Sequence, residues 1–84
     1  MSVEKRLLRS PLARLRAHLG SASKVAASLG CSRVHLYNIE SGRSMPSLEL
    51  AARMAALYGV SGEELIKSVR KARRELLRRQ IENA

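Results

Sequence analysis

The chain has 84 residues, enough for one small domain but not for two. Sixteen Lys and Arg against seven Asp and Glu give a formal net charge of +9, which favours a polyanionic partner such as nucleic acid or an acidic membrane. A single cysteine excludes an internal disulfide and a zinc cluster, and two tyrosines without Phe or Trp argue against a stacking surface for single-stranded nucleic acid.

The spacing of apolar residues predicts five helices and no strand. Apolar residues recur at intervals of three and four, and small polar residues and glycines interrupt them. The first helix is expected to begin with Ser10 as N-cap and Pro11 at its first position, and to stop at Gly20. Its expected inward face comprises Leu12, Leu15 and Leu19.

Two short helices joined by a tight turn follow. The second helix begins at Ser21 or Ser23 and ends at Gly30, where a positive φ reverses the chain. Its expected buried residues are Val25, Ala26 and Leu29. The third helix is capped by Ser32 and runs to about Ser41, with an inward face made by Leu36 and Ile39. This arrangement predicts a helix-turn-helix.

The last two helices carry equally clear local signals. Ser47 caps the fourth helix and Gly59 closes it. Its expected inward residues are Leu50, Ala51, Met54 and Leu57. Ser61 and Glu64 form a capping-box pattern for a fifth helix that runs from Gly62 to about Ile81.

Four short motifs give the chain a resemblance to a known protein family. They are Leu29-Gly30, Ile39-Glu40-Ser41-Gly42, Pro46-Ser47-Leu48 and Gly59-Val60-Ser61. At this spacing the chain resembles the phage Cro/repressor-type helix-turn-helix family (the XRE class) over about residues 12–66. The resemblance implies an all-α, five-helix, lambda-repressor-like DNA-binding domain over residues 10–66. A basic arm (residues 1–9) would precede it, and a C-terminal extension of the fifth helix (67–84) would follow.

The resemblance also implies which residues contact DNA bases. In the family, the first, second and sixth residues after the cap of the third helix do so, and these are Arg33, Val34 and Asn38. Helical spacing agrees, since an inward Leu36 and Ile39 leave these residues and Tyr37 on the outer face. Arg suits guanine, Asn suits adenine and Val suits a thymine methyl group, whereas Tyr37 is expected to contact a base or the backbone.

Phosphates are expected at helix N-termini, where free N–H groups and the helix dipole attract anions. The expected phosphate contacts are Ser21, Ser23, Lys24, Ser32 and Arg43. The family commonly has a phosphate-clamping glutamine where this chain has Ala22, so anchoring is expected to shift to Ser23 or Lys24. Arg16 and Glu40 resemble the family's buried ion pair between the first and third helices.

The fifth helix is longer than its own domain needs. It carries seven basic residues from Leu65 onward and an apolar stripe that is the candidate dimerisation surface. The first part of the stripe is expected to complete the core, and its later part is expected to pair with a second subunit. The stripe comprises Leu65, Val69, Ala72 and Leu76. A basic helix lying on a membrane surface is the alternative. The N-terminal arm is expected either to follow the DNA backbone or to pack on the fifth helix.

The sequence therefore predicts a cytoplasmic, homodimeric repressor that binds a palindromic operator in double-stranded DNA of a phage, plasmid or restriction–modification operon. The alternative is an antitoxin that binds a toxin and represses the same operon, and a third interpretation is non-specific architectural DNA binding. His18 and His35 lack partners at catalytic or metal-binding spacing, so no enzyme, metal or cofactor is expected. No signal peptide or membrane span is expected either.

Overall fold

Five α-helices and no strand make up residues 11–83, the part of the chain that the computed structural model describes. The helices are α1 (Pro11–Ala17), α2 (Ala22–Leu29), α3 (Arg33–Glu40), α4 (Leu48–Tyr58) and α5 (Gly62–Glu82). The all-α prediction is thereby confirmed. The expected N-cap Ser10 and the arm of residues 1–9 lie outside the described residues.

Serine hydroxyls begin four of these helices. The Oγ atoms of Ser21, Ser32, Ser47 and Ser61 each accept a hydrogen bond from the backbone N–H three residues later, at 3.0–3.2 Å. Each cap contributes about 1 kcal/mol by satisfying an otherwise free donor. Gly30 ends α2 in the left-handed conformation that the sequence predicted, with φ 73°. The N-cap of α2 is Ser21, so of the two serines that the sequence offered the first is used.

The hydrophobic core lies where all five helices meet. The large side chains that are completely enclosed are Leu12, Leu36, Ile39, Met54, Leu65 and Val69. Ala26 is buried between them, and its small side chain allows α2 and α3 to approach each other at the short turn. The second and third helices are thus fixed to one another and to the rest of the domain by the same core.

Two leucines predicted to face inward are exposed instead. Leu19 is 44% exposed because α1 ends at Ala17 and leaves Leu19 in the following turn. Leu57 is 38% exposed, and Tyr58 takes its place in the core. Tyr58 follows Met54 by four residues and so continues the buried side of α4, whereas Leu57 lies beside it.

The first half of α5 belongs to the core of its own chain. Leu65, Val69 and Ala72 are buried there, and α5 contacts α1, α3 and α4. The expectation that the first part of the stripe completes the core is therefore confirmed, and these three residues do not belong to an exposed dimerisation surface, because their surfaces are already covered. The core also extends past residue 66, where the sequence placed the end of the domain. Of the predicted stripe, Leu76 is the member that stays partly exposed.

Gly42 is the point of closest approach between α5 and the segment after α3. Its φ is +82°, and a Cβ atom built there would lie 2.5 Å from the Arg73 Cα and 2.6 Å from the Ala72 carbonyl carbon. Real Cβ atoms do not approach other atoms this closely, so only glycine fits. The sequence placed Gly42 directly after the expected end of the third helix, and the structure adds that α5 is packed directly on it.

Candidate nucleic-acid interface

The outer face of α3 presents the residues that the sequence assigned to base contacts. Leu36 and Ile39 are completely buried and fix the opposite face to the core. Arg33 and Val34 are exposed, Val34 to 64%. Tyr37 is 39% exposed and Asn38 is partly buried. Helical spacing brings these four side chains to one side of α3, as predicted, and they differ in how far they project into solvent.

A buried ion pair ties α3 to α1. The Arg16 Nε donates a hydrogen bond to the Glu40 Oε2 at 2.8 Å, and both side chains are more than nine-tenths buried. The same guanidinium carbon lies 5.8 Å from the centre of the Tyr37 ring. The resemblance implied the ion pair between these two helices, but nothing in the sequence indicated the contact of Arg16 with Tyr37. Arg16 thus restrains both the C-terminal end of α3 and one side chain of its outer face.

The Glu40 carboxylate is costly to bury. Burial raises the pKa of Glu40, and the hydrogen bond and positive charge of Arg16 oppose this rise. The second carboxylate oxygen, Oε1, and the Tyr58 hydroxyl are buried without a hydrogen-bond partner among the described residues. Burial also raises the pKa of Tyr58, and the Glu40 charge adds to this rise. One arginine therefore offsets only part of the cost of a charge held inside the core.

The loop after α3 is hydrogen-bonded back onto that helix. The Asn38 carbonyl accepts from the backbone N–H groups of Arg43 at 2.8 Å and Ser44 at 3.1 Å. The Ser41 hydroxyl donates to the same carbonyl at 3.2 Å. Arg43 is exposed. The hydrogen bonds to the Asn38 carbonyl hold the Arg43 backbone just beyond Asn38. Its long, exposed side chain could therefore reach a phosphate beside the outer face of α3.

The N-termini of α2 and α3 differ electrostatically from those of α4 and α5. No acidic residue occupies the first turn of α2 or α3, whereas α4 has Glu49 and α5 has Glu63 and Glu64 there. A carboxylate in the first turn would offset the positive end of the helix dipole. The two helices of the helix-turn-helix thus keep N-termini that favour an anion.

The predicted phosphate contacts surround these two N-termini. Ser21, Ser23, Lys24 and Ser32 are all exposed. The hydroxyls of Ser21 and Ser32 accept a backbone hydrogen bond, and each keeps its own proton to donate to an anion. Ala22 is buried in the core, so the position of the family's glutamine offers no polar group here.

Exposed apolar side chains continue along the end of α5. Leu77 is 47% exposed and Ile81 is 76% exposed.

Within residues 11–83 no group of three or more His, Cys, Asp or Glu side chains is arranged to hold a metal ion. No helix in this part of the chain has the length and apolar character needed to cross a membrane.

Comparison with known proteins gives one match. A family model described as a helix-turn-helix domain matches residues 7–66, which is 60 of the 84 residues. No curated protein and no solved structure matches the chain significantly.

Proposed function

Because the chain belongs to the helix-turn-helix domain family of DNA-binding regulators, we propose that it regulates transcription by placing α3 in the major groove of a specific double-stranded operator. The outer face of α3 is the observation that carries this proposal. That face combines exposed groups able to distinguish bases with a buried opposite face that fixes its orientation.

Arg33, Val34 and Asn38 are the proposed base contacts. The Arg33 guanidinium donates to the O6 and N7 of a guanine, the Asn38 amide pairs with an adenine, and Val34 contacts a thymine methyl group. Tyr37 lies between the Arg16 guanidinium and the groove and contributes a base or backbone contact. The Arg16–Glu40 ion pair positions α3 and does not itself contact DNA.

Phosphates on either side of the groove hold the domain in register. Ser21, Ser23 and Lys24 bind one phosphate at the N-terminus of α2, and Ser32 binds another at the N-terminus of α3. Arg43 binds a third from the loop that follows α3. These contacts are independent of sequence and make binding depend on salt.

We further propose a homodimer that binds an inverted-repeat operator, with two copies of α3 about 34 Å apart. The exposed end of α5 supports it, since Leu76, Leu77 and Ile81 lie beyond the core that Leu65 and Val69 complete. The regulator is expected to act in the cytoplasm as a repressor of its own phage, plasmid or restriction–modification operon, without a cofactor.

Selection from random duplexes, followed by binding measurements, tests the base contacts. Arg33→Ala is expected to weaken binding to the selected duplex by about 1–3 kcal/mol and to relax preference at one base pair. Arg43→Ala is the matched control, because it removes an arginine next to the same helix. It should weaken binding to selected and random duplexes alike and flatten the salt dependence. Equal losses on both duplexes for Arg33→Ala would contradict base recognition.

Sedimentation velocity tests the dimer. The wild type is expected to sediment as a dimer at tens of micromolar, and Leu77→Asp together with Ile81→Asp should convert it to a folded monomer. Leu19→Asp is the control, since Leu19 lies in the turn after α1 and its exposed fraction of 44% is close to the 47% of Leu77. A monomeric wild type, or a dimer that survives the α5 substitutions, would contradict this interface.

A further inference from the structure

The middle of α5 carries a cluster of four cationic side chains. Arg70, Lys71, Arg73 and Arg74 surround the buried Ala72, and all four are exposed. None of them pairs with a carboxylate within residues 11–83. The ion pairs of α5 lie on either side of the cluster, Lys67 with Glu63 and Arg79 with Glu75, each at 3.8 Å.

This arrangement opposes folding of the helix. Arg70 is three residues from Arg73 and four from Arg74, so their like charges are neighbours on the helix surface. Such pairs destabilise a helix by about 0.2–0.5 kcal/mol each. A nearby anion offsets this repulsion, so the cluster is suited to a polyanionic partner.

Two of the four cations lie beside the loop that carries Arg43. The Arg73 backbone packs directly against Gly42, the residue before Arg43. Arg70 borders a groove between α4 and α5 together with Leu48, which begins α4. The loop runs from Gly42 to Leu48 and so passes along the side of α5 from which Arg73 and Arg70 project.

Two other cations lie on another side of α5. At about 100° per residue, Arg70 is turned about 60° around the helix from Arg73, whereas Lys71 and Arg78 are turned about 160° and about 140° from it. Lys71 and Arg78 are thus exposed cations of the same helix on the side away from the loop.

We propose that Arg70 and Arg73 form a further phosphate-binding site for double-stranded DNA, continuous with the one at Arg43. This inference rests on the proposed function and extends its interface from the helix-turn-helix to α5. Planar guanidinium groups suit phosphate oxygens, and Arg73 and Arg43 start from backbone segments in contact with one another. The two α5 arginines strengthen binding to any sequence and help to set the register of α3.

The test compares two double variants that lose the same charge from the same helix. Arg70→Ala with Arg73→Ala removes the loop-side pair, and Lys71→Ala with Arg78→Ala removes the outward pair. Fluorescence anisotropy measures Kd for a labelled mixed-sequence duplex of about 30 bp over a series of KCl concentrations. Circular dichroism verifies that each variant is folded. Arg70→Lys with Arg73→Lys keeps the charge and should retain most of the affinity.

The loop-side variant is expected to bind at least about tenfold more weakly at about 0.1 M salt, with the salt slope smaller by up to about 1.8, or 0.9 for each phosphate contact. The outward variant should change Kd less than about threefold. Equal weakening by both double variants would mean long-range attraction and would overturn the local site, as would no weakening by either. If the wild type binds no duplex, both the proposed function and this inference fail. If the wild type binds and the loop-side variant equals it, only this inference fails.

Discussion

Gly42→Ala is expected to destabilise the fold much more than Gly59→Ala, although both glycines have a positive φ. The values are +82° and +71°, and an alanine in either place is strained by about 1–2 kcal/mol. A Cβ at Gly59 meets nothing within 4 Å. At Gly42 it meets the backbone of Ala72 and Arg73, which cannot rotate away as a side chain does. Displacing α5 adds about 1–3 kcal/mol. The expected losses are therefore about 2–5 kcal/mol for Gly42→Ala and about 1–2 kcal/mol for Gly59→Ala.

Urea unfolding followed by far-UV circular dichroism measures both losses. A domain of this size has a total unfolding free energy of about 4–12 kcal/mol, so Gly42→Ala removes a large part of it. The melting temperature should fall by about 4–8 °C for each kcal/mol lost. Similar losses for the two variants would refute the reasoning, since they would mean that α5 does not press against the loop after α3.

Three further predictions concern the polar groups of the core. Arg16→Ala should lower the unfolding free energy by about 3–5 kcal/mol, because it leaves the Glu40 carboxylate buried and unpaired. If urea unfolding showed unchanged stability and only DNA binding were weakened, this structural role would be contradicted. Burial raises the pKa of Glu40, so the folded protein binds the carboxyl proton more tightly than the unfolded chain does. The unfolding free energy of the wild type, relative to that of Glu40→Gln, should therefore fall as pH rises from about 4 to about 7. An increase over that range, measured by urea unfolding, would mean that attraction by Arg16 outweighs burial. Tyr58→Phe should leave the unfolding free energy unchanged or raise it by about 1 kcal/mol, since it removes a buried hydroxyl without a partner among the described residues. A loss of more than about 1 kcal/mol in the same assay would reveal a hydrogen bond to that hydroxyl.

The helix boundaries were predictable because the interactions that set them are local. Ser32 caps α3 through a hydrogen bond to a backbone N–H three residues away, and Gly30 ends α2 because its own φ is positive. Neither depends on how the helices pack. The outer face of α3 followed for the same reason, once Leu36 and Ile39 were identified as its inward residues.

The sides of the longer helices were predicted less well. Leu57 and Tyr58 are neighbours in sequence, and either one extends an apolar stripe on α4. Their roles depend on the direction from which α5 packs, and this leaves Tyr58 buried and Leu57 exposed. The apolar pattern of α5 likewise does not reveal whether Val69 is covered by its own chain or by a second copy, because either contact buries the same surface.

By itself, then, the sequence determined what depends on neighbours within about four residues: where α3 to α5 begin and end, and which side chains α3 turns outward. Tertiary structure alone decided what depends on helices distant in sequence. It extended the core along α5 past residue 66 to Ala72, set the Arg16 guanidinium beside Tyr37, and packed the Arg73 backbone on Gly42. The physical reason is that hydrogen bonds within a helix have a fixed spacing along the chain, whereas packing between helices depends on directions that only the folded core defines.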